Sequence, residues 1–374
     1  MKKVFFLFFA FASAISNAQN VIIPDANFKT ALVGNPAINT NNDSEIQLTE
    51  ASSYTEGIDI SNKNIADLTG IEAFTKLKSL SCYGNQLKSL DLSKNVNLEY
   101  LYCYSNSLES IDVSSSARLN TFYCQGNKLE SLNITANKEL VYFDCSTNEL
   151  TSLDVSQNTR LSKLYCHTNK LAVIDVKANE FLSLFYCYNN NGIANLDVTN
   201  NLYLTKLGCG GNRLTSLDLS NNSRLTKLYC ALNDLTVLNL ANGNGVNFRE
   251  IEANGNNNLS CVQVDDAQYS NENWVGTKFR FDAMASFSTN CVASVEEEES
   301  ELIGIYPVPV KNRLNLRVKN QKVKNILIVD ISGKIIKEGI SISNTIDVKD
   351  LAKGGYFLRV KTDKGMLQKQ FLKE

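Results

Sequence analysis

Ten cysteines, one histidine and a column of aspartates are the residues of this 374-residue chain whose types and spacing could do chemistry. Eight of the cysteines, Cys82, Cys103, Cys124, Cys145, Cys166, Cys187, Cys209 and Cys230, stand 21 residues apart, with one interval of 22. A zinc or iron–sulfur site would need closely spaced ligands, but no C-x-x-C pair occurs and His167 is the only imidazole. A thiolate nucleophile is equally unsupported. Cys166 adjoins His167, yet neighbours on a strand point to opposite faces, so the thiol turns inward while the ring turns out. Asp91, Asp112, Asp154, Asp175, Asp197 and Asp218 offer carboxylates in plenty, but they repeat equivalently and none occupies a setting that would single out an acid or a base. No enzyme is expected, and no cofactor.

The period itself is more informative. A unit of 21 residues is too short to fold alone and matches one coil of a solenoid, which buries its apolar edge against the next coil. Residues 98–108 and 161–171 both read L-x-x-L-x-C-x-x-N-x-L. This resembles the leucine-rich repeat with cysteine at its third leucine position, over roughly residues 57–259. The resemblance implies a solenoid of the α/β horseshoe class, here mostly parallel β with few or no helices, because so short a coil leaves room only for tight turns or 3₁₀ pieces on its far side. In L-x-C the leucine and cysteine face inward while their neighbours face out. In-register neighbours ~4.8 Å apart are too far for a disulfide, which wants ~3.8 Å between Cβ atoms, so the ladder cysteines are read as small buried hydrophobes. Asn85, Asn106, Asn127, Asn148, Asn169, Asn190, Asn212 and Asn233 form a second column, expected to satisfy backbone groups of their own and the adjacent coil. For the aspartate column, turn hydrogen bonding is favoured over a cation-binding stripe.

The chain ends carry separate signals. Residues 1–18 combine Lys2 and Lys3, an apolar run over residues 4–15, and small residues Ser16 and Ala18, the pattern of a secretory signal peptide cut after Ala18. No other stretch is apolar enough to span a membrane. Residues 19–56 form an N-terminal cap, with a helix over residues 24–33 presenting Phe28, Ala31 and Leu32. Residues 39–50 resemble an EF-hand loop, with Asn39, Asn41, Asp43 and Glu50 as the candidate calcium ligands, but Asn39 stands where aspartate is usual and Ser44 where glycine is usual. A weak calcium site and a structural cap loop are the two readings. The repeats occupy residues 57–260. Cys261 and Cys291 lie off the period and are expected to form a disulfide around a C-terminal cap, residues 261–291, worth ~3–4 kcal/mol in the chain-entropy account, with Trp274 plugging the open end. Residues 292–301, including Glu296 to Glu299, read as an acidic linker.

From residue 302 to 374 there are fifteen Lys/Arg against six Asp/Glu, a balance of +9, so the rest carries −11 of the net −2. Nucleic-acid binding is not expected of the acidic part. Alternating apolar residues between Gly, Asn and Asp turns predict a small β-sandwich of about seven strands here. Tyr306-Pro307-Val308-Pro309, Leu314-Asn315-Leu316, Asp330 to Gly333-Lys334 and Leu351 to Gly354-Gly355-Tyr356 resemble the C-terminal sorting domain of the type IX secretion system of Bacteroidota, with Val308 where asparagine is usual. The resemblance implies engagement of that secretion machinery, passage across the outer membrane, removal of the tail, and release or attachment at the cell surface.

What remains is the outward face of the repeats. Just before the ladder cysteines stand Ser81, Tyr102, Tyr123, Asp144, Tyr165, Tyr186, Gly208 and Tyr229; just after them stand Tyr83, Tyr104, Gln125, Ser146, His167, Tyr188, Gly210 and Ala231. Tyr100 and Tyr142 share the face. Tyrosine gives stiff amphipathic contact area at low entropic cost, and it also stabilises sheets through cross-strand pairs. The candidate ligand-binding residues are Tyr100, Tyr102, Tyr104, Tyr123, Tyr142, Tyr165, His167, Tyr186, Tyr188 and Tyr229. They suggest a secreted or cell-surface module that binds a protein partner, the alternatives being a glycan-binding surface protein and a passive surface structural protein.

Overall fold

The computed structural model describes residues 19–291 and 303–374, apart from 320–321, 331–333, 339–344 and 364. The expected signal peptide and acidic linker lie outside the described residues. The chain divides into two compact units, up to Thr289 and from Asn290 on.

The first unit is the solenoid. The entry coil, at Ile58-Asp59-Ile60, and each phrase that pairs an inward Leu or Phe with a ladder cysteine yield a strand of three residues: β1 (Gly57–Asp59), β2 (Ser79–Ser81), β3 (Tyr100–Tyr102), β4 (Thr121–Tyr123), β5 (Tyr142–Asp144), β6 (Lys163–Tyr165), β7 (Leu184–Tyr186) and β8 (Lys206–Gly208). Beyond β8 the chain alternates between two sheets. β9 (Ser216–Asp218), β11 (Val237–Asn239), β13 (Cys261–Gln263) and β15 (Ser286–Ser288) pair in a parallel sheet of four. β10 (Lys227–Tyr229), β12 (Glu250–Glu252) and β14 (Phe279–Arg280) complete a long sheet of eleven. All long-sheet pairs are parallel and in register, so Tyr102 lies opposite Tyr123, Tyr123 opposite Asp144, and Asp144 opposite Tyr165. On the far side the earlier coils have turns and the 3₁₀ piece Ile71–Ala73, as expected, and only the last coils add the four-stranded sheet, with Leu217, Leu238 and Val262 buried in its strands.

The interior is a set of columns. Leu80, Leu101, Phe122, Phe143, Leu164, Phe185, Leu207 and Leu228 form one, with Phe122 and Phe143 stacked at 5.6 Å. All eight ladder cysteines are free and buried, and burial raises the Cys103 thiol to about 12 and the others well above their ordinary value.

The asparagines join coil to coil. Asn106 Nδ2 donates to the carbonyls of Cys82 (3.0 Å) and Cys103 (3.1 Å), while its Oδ1 accepts from Leu87 N (3.1 Å). Asn127, Asn148, Asn169 and Asn233 repeat this pattern. Asn256 extends the column into a coil where Ala253 takes the cysteine position. A second buried column, absent from the reading of the sequence, comprises Asn95, Asn137, Asn158, Asn179, Asn201 and Asn222. Asn158 Nδ2, for example, reaches the carbonyls of Ile134 (3.0 Å) and Asn137 (2.8 Å) one coil back.

The caps close the ends. At helix α1 (Ala26–Val33), Asp25 Oδ1 accepts from Asn27 N and Phe28 N, and Oδ2 accepts from Ala66 N (2.8 Å) in the first coil; Phe28 and Leu32 are buried. At the other end Trp274 is 4% exposed, and its ring packs at 5.5 Å against both Phe248 and Phe287. Cys261 and Cys291 are joined as a disulfide.

The second unit packs two antiparallel sheets. One holds β16 (Ile303–Tyr306), β17 (Arg313–Val318) and β20 (Thr345–Asp347); the other holds β18 (Val323–Asp330), β19 (Ile335–Lys337), β21 (Gly354–Thr362) and β22 (Met366–Lys373). Ile303, Leu314, Ile326, Ile328, Leu358 and Phe371 contribute to one core drawn from both sheets. The small sandwich expected of the tail is therefore present.

The burial of the ladder makes a direct prediction. Thiol titration of the native, unreduced protein with an aromatic disulfide reagent should label essentially none of the eight ladder cysteines, and all eight after denaturation. Rapid native labelling of several would contradict the sealed interior.

Candidate functional site: the tyrosine face of the long sheet

The outward residues of the long sheet fall in three columns set by strand register. The first strand position carries Tyr100, Thr121, Tyr142, Lys163, Leu184, Lys206, Lys227 and Glu250. The third carries Tyr102, Tyr123, Asp144, Tyr165, Tyr186, Gly208, Tyr229 and Glu252. The residues after the cysteines make the last column. All ten candidate residues share this one face, Tyr100 exposed and the others half-buried.

Their rings touch across strands. Tyr102 meets Tyr123 edge to face at 5.5 Å, and Tyr165 meets Tyr186 likewise at 5.6 Å. In the column after the cysteines Tyr83 stacks on Tyr104 at 4.4 Å, and His167 stacks on Tyr188 at 4.1 Å. Such contacts are worth ~0.5–1.5 kcal/mol beyond area burial, and they hold the rings in place before any ligand arrives. Gly208 interrupts the column, but Tyr186 lies across it to reach Tyr229 at 6.2 Å. A Cβ at position 208 would stand 2.8 Å from Tyr186 Cδ1, so glycine permits that crossing.

Charge enters at defined places. Glu250 Oε2 accepts from both Tyr229 Oη and Lys227 Nζ at 2.7 Å, and burial together with the Glu250 contact raises the Tyr229 phenol to about 12. Arg280 pairs with Glu252. Lys163 Nζ lies 5.0 Å from the centre of the Tyr142 ring. Asp144 Oδ1 accepts from Ser146 N (2.9 Å) and Oγ (2.6 Å), yet burial still raises its carboxyl above the ordinary aspartate value. The sequence placed Asp144 in this column, but only the side-chain geometry shows it as the charge around which the tyrosines gather. Tyr83, Lys163, Gln125 and the Lys227–Glu250 pair were likewise absent from the candidate set.

The aspartate column is engaged in turns. Asp91, Asp112, Asp154, Asp175, Asp197 and Asp218 each accept from the backbone N–H two residues on. The side-chain and backbone bonds from Thr199 and the Lys177 ion pair hold Asp197 at about 2. A cleft beside Asp175, Asp197 and Asp218 is lined by these turn carboxylates.

The four candidate calcium ligands do come together, through hydrogen bonds to one another and to the loop backbone. Glu50 Oε1 accepts from Thr40 N (2.8 Å) and Asn41 N (3.3 Å), and Oε2 from Gln47 N (3.0 Å), which makes it the capping-box residue of helix α2 (Leu48–Ser53). Asp43 Oδ2 accepts from Asn41 and Gln47, and Asn39 donates to the carbonyls of Val33 and Asp43. Among the described residues no group of three or more His, Cys, Asp or Glu is placed to hold a metal.

Fold and columns together define a leucine-rich-repeat solenoid, and comparison with known proteins agrees. Residues 43–158 match the family model of the leucine-rich-repeat domain of the endo-β-N-acetylglucosaminidase EndoS, and residues 304–374 match the secretion system C-terminal sorting domain. An internalin (inlF) from Listeria monocytogenes superposes with a TM-score of 0.54 at 19% identity, covering 74% of this chain and 94% of that one. The functional domain of InlJ from Listeria monocytogenes, described as including a cysteine ladder, gives 0.43 at 23% identity over 95% of this chain and 98% of that one. A leucine-rich-repeat protein from Leptospira interrogans gives 0.47 at 21% identity over 62% and 60%. No curated protein matches the sequence. The chain is thus a leucine-rich-repeat protein, and its tail is a sorting domain of the type IX kind that marks it for export to the outer surface or the medium. No helix among the described residues is long and apolar enough to cross a membrane.

His167 offers a measurement within the face. Burial lowers its imidazole from 6.5 to about 4. As pH falls the unfolded chain therefore takes the proton first, so the stability tied to the neutral ring is complete above pH 6.5 and is lost as pH drops through about 4. The single imidazole should titrate by NMR with a midpoint near 4, and His167→Gln should remove part of the acid slope of stability. A midpoint at 6.5 or above would contradict the stacked, desolvated geometry.

Proposed function

We propose that this is an exported binding protein that docks a protein partner on the tyrosine face of its long sheet, without catalysing a reaction. The observation that carries the reading is the cross-strand contact of the aromatic residues on that face, from Tyr102 to Tyr229, with rings half-exposed and already fixed. Fixed amphipathic rings lose little entropy on binding, and partly exposed phenols supply polar contacts at their tips. Leucine-rich-repeat domains are typically interaction modules, in keeping with this use of the sheet. The sorting tail supports delivery to the cell exterior through the type IX machinery, whether the protein is then released or held at the surface.

The glycan alternative draws on the same rings and on the match to a repeat domain from an endo-β-N-acetylglucosaminidase. Proteins from the surroundings of the cell should be retained by the immobilised wild type and lost, by about tenfold or more, with Tyr102→Ala combined with Tyr165→Ala at unchanged secondary structure. Retention of glycans alone on an array would turn the reading to the second class, and unchanged protein capture would overturn it. Independently, deletion of residues 304–374 should leave the protein inside the cell envelope. Undiminished appearance in the medium or on the surface would refute the role of the tail.

A further inference from the structure

The tyrosine face holds one shielded charge without a counter-ion. The long-sheet strands carry four carboxylates: Asp59, Asp144, Glu250 and Glu252. Glu250 has Lys227 and Glu252 has Arg280. Asp59, on the first strand, is exposed to solvent. Asp144 is half-buried in the middle of the sheet and, among the described residues, takes part in no ion pair; its bonds come from Ser146, both to Oδ1. Lys163, the nearest cation along the strands, lies over the Tyr142 ring.

The surroundings of Asp144 are acceptor-rich and aromatic. Tyr123 and Tyr165 flank it in register, and both these phenols and that of Tyr188 feel its charge. Asp144 is the shorter side chain between two tyrosines in the column. A carboxylate with no ion pair among the described residues, flanked by π-faces, calls for a flat cation with several donors. Guanidinium has five N–H groups in a plane that stacks on aromatic rings, whereas ammonium is compact and more strongly hydrated.

We infer that the position of Asp144 between Tyr123 and Tyr165 receives an arginine side chain of the protein partner, its guanidinium held by Asp144 between the tyrosine rings. This rests on the reading of the face as a protein-docking surface and names what that surface recognises. It also accounts for a carboxylate held in an aromatic setting at a cost to the free protein.

His167 is the only histidine, and its ring stacks on Tyr188, whose phenol feels the Asp144 charge, so its ring signals report on this part of the face. The full chain would be titrated with N-acetyl-arginine methylamide while those signals are followed by NMR. Saturable shifts are expected, weakened about tenfold or more by Asp144→Asn and by Tyr123→Leu, and absent with the uncharged N-acetyl-citrulline methylamide. Asp144→Asn keeps an acceptor for Ser146 and should melt at the same or a higher temperature, whereas a purely structural role for Asp144 would lower it. No shift with the arginine probe, an equal response in Asp144→Asn, or equal binding of N-acetyl-lysine methylamide would overturn the assignment. Failure of the wider reading appears separately, as protein capture that survives the Tyr102→Ala and Tyr165→Ala substitutions.

Discussion

A coil of 21 residues whose strand is three residues long leaves most of its backbone polar groups outside any sheet. No helix is available on the far side of these coils to absorb them, and each group buried without a partner costs ~1–3 kcal/mol. The asparagine amide answers this constraint because one side chain carries two donors and an acceptor. Asn148 bonds the cysteine carbonyls of its own coil and of the preceding one, and in return takes the Leu129 N–H. The bond pattern is satisfied at one stagger of coil on coil, so the amides that settle the backbone also fix the register. The cysteines fill the space beneath as small buried hydrophobes, whereas loss of an amide would leave several polar groups unpaired at once.

That dependence runs along one dimension. Each coil bonds both its neighbours, Cys103 N donating to the Tyr123 carbonyl of the next coil and Asn106 Nδ2 to the Cys82 carbonyl of the one before, so the ends are where the account fails to close. At the start, Asp25 serves both the N-terminus of α1 and the Ala66 N–H of the first coil. At the finish, Asp282 takes the backbone N–H groups of Gly255 (2.9 Å) and Asn256 (2.7 Å), a job done elsewhere by the next coil. Trp274 covers the apolar end, and the Cys261–Cys291 disulfide ties the segment closed.

The sequence disclosed whatever repeats with a distinctive residue. Leu101, Cys103 and Asn106 announce a period, and strand alternation then places Tyr102 and Tyr104 outside. The second asparagine column keeps the same period but gives way to Ser116 in one coil, and Asn137 and Asn158 sit in phrases where Asp, Ser and Thr also recur, so that a polar residue beside a turn reads as surface. Burial of Asn158 becomes evident only when the carbonyls of Ile134 and Asn137 are seen converging on it. Following cysteine alone also ended the ladder one coil early, since Ala253 keeps the volume small and Asn256 keeps the amide. The EF-hand-like loop shows the opposite limit. Oxygen-bearing side chains at calcium spacing serve equally well to bond a loop to itself, and spacing does not distinguish the two uses. Ring contacts and the state of Asp144 were beyond the sequence altogether, because they depend on which way half-exposed side chains lean.

The single interval of 22 residues, between Cys187 and Cys209, shows how far the face depends on the ladder. The extra residue is absorbed near Asn191, which adopts a positive φ of 58°, and Asn212 Oδ1 is left buried without the N–H that its counterparts receive. This is also the coil where the outward columns carry Gly208 and Gly210 in place of large side chains. A gap in the aromatic wall would be the expected consequence, yet Tyr186 lies over the bare backbone of Gly208 and reaches Tyr229. An alanine there would collide with the ring and part Tyr186 from Tyr229. Ring contact on this surface therefore extends past the coil of Gly208, whereas at Asp144 a carboxylate stands in the column between Tyr123 and Tyr165. The irregular coil leaves the Asn212 amide oxygen unsatisfied inside, while outside it keeps Tyr186 and Tyr229 in contact.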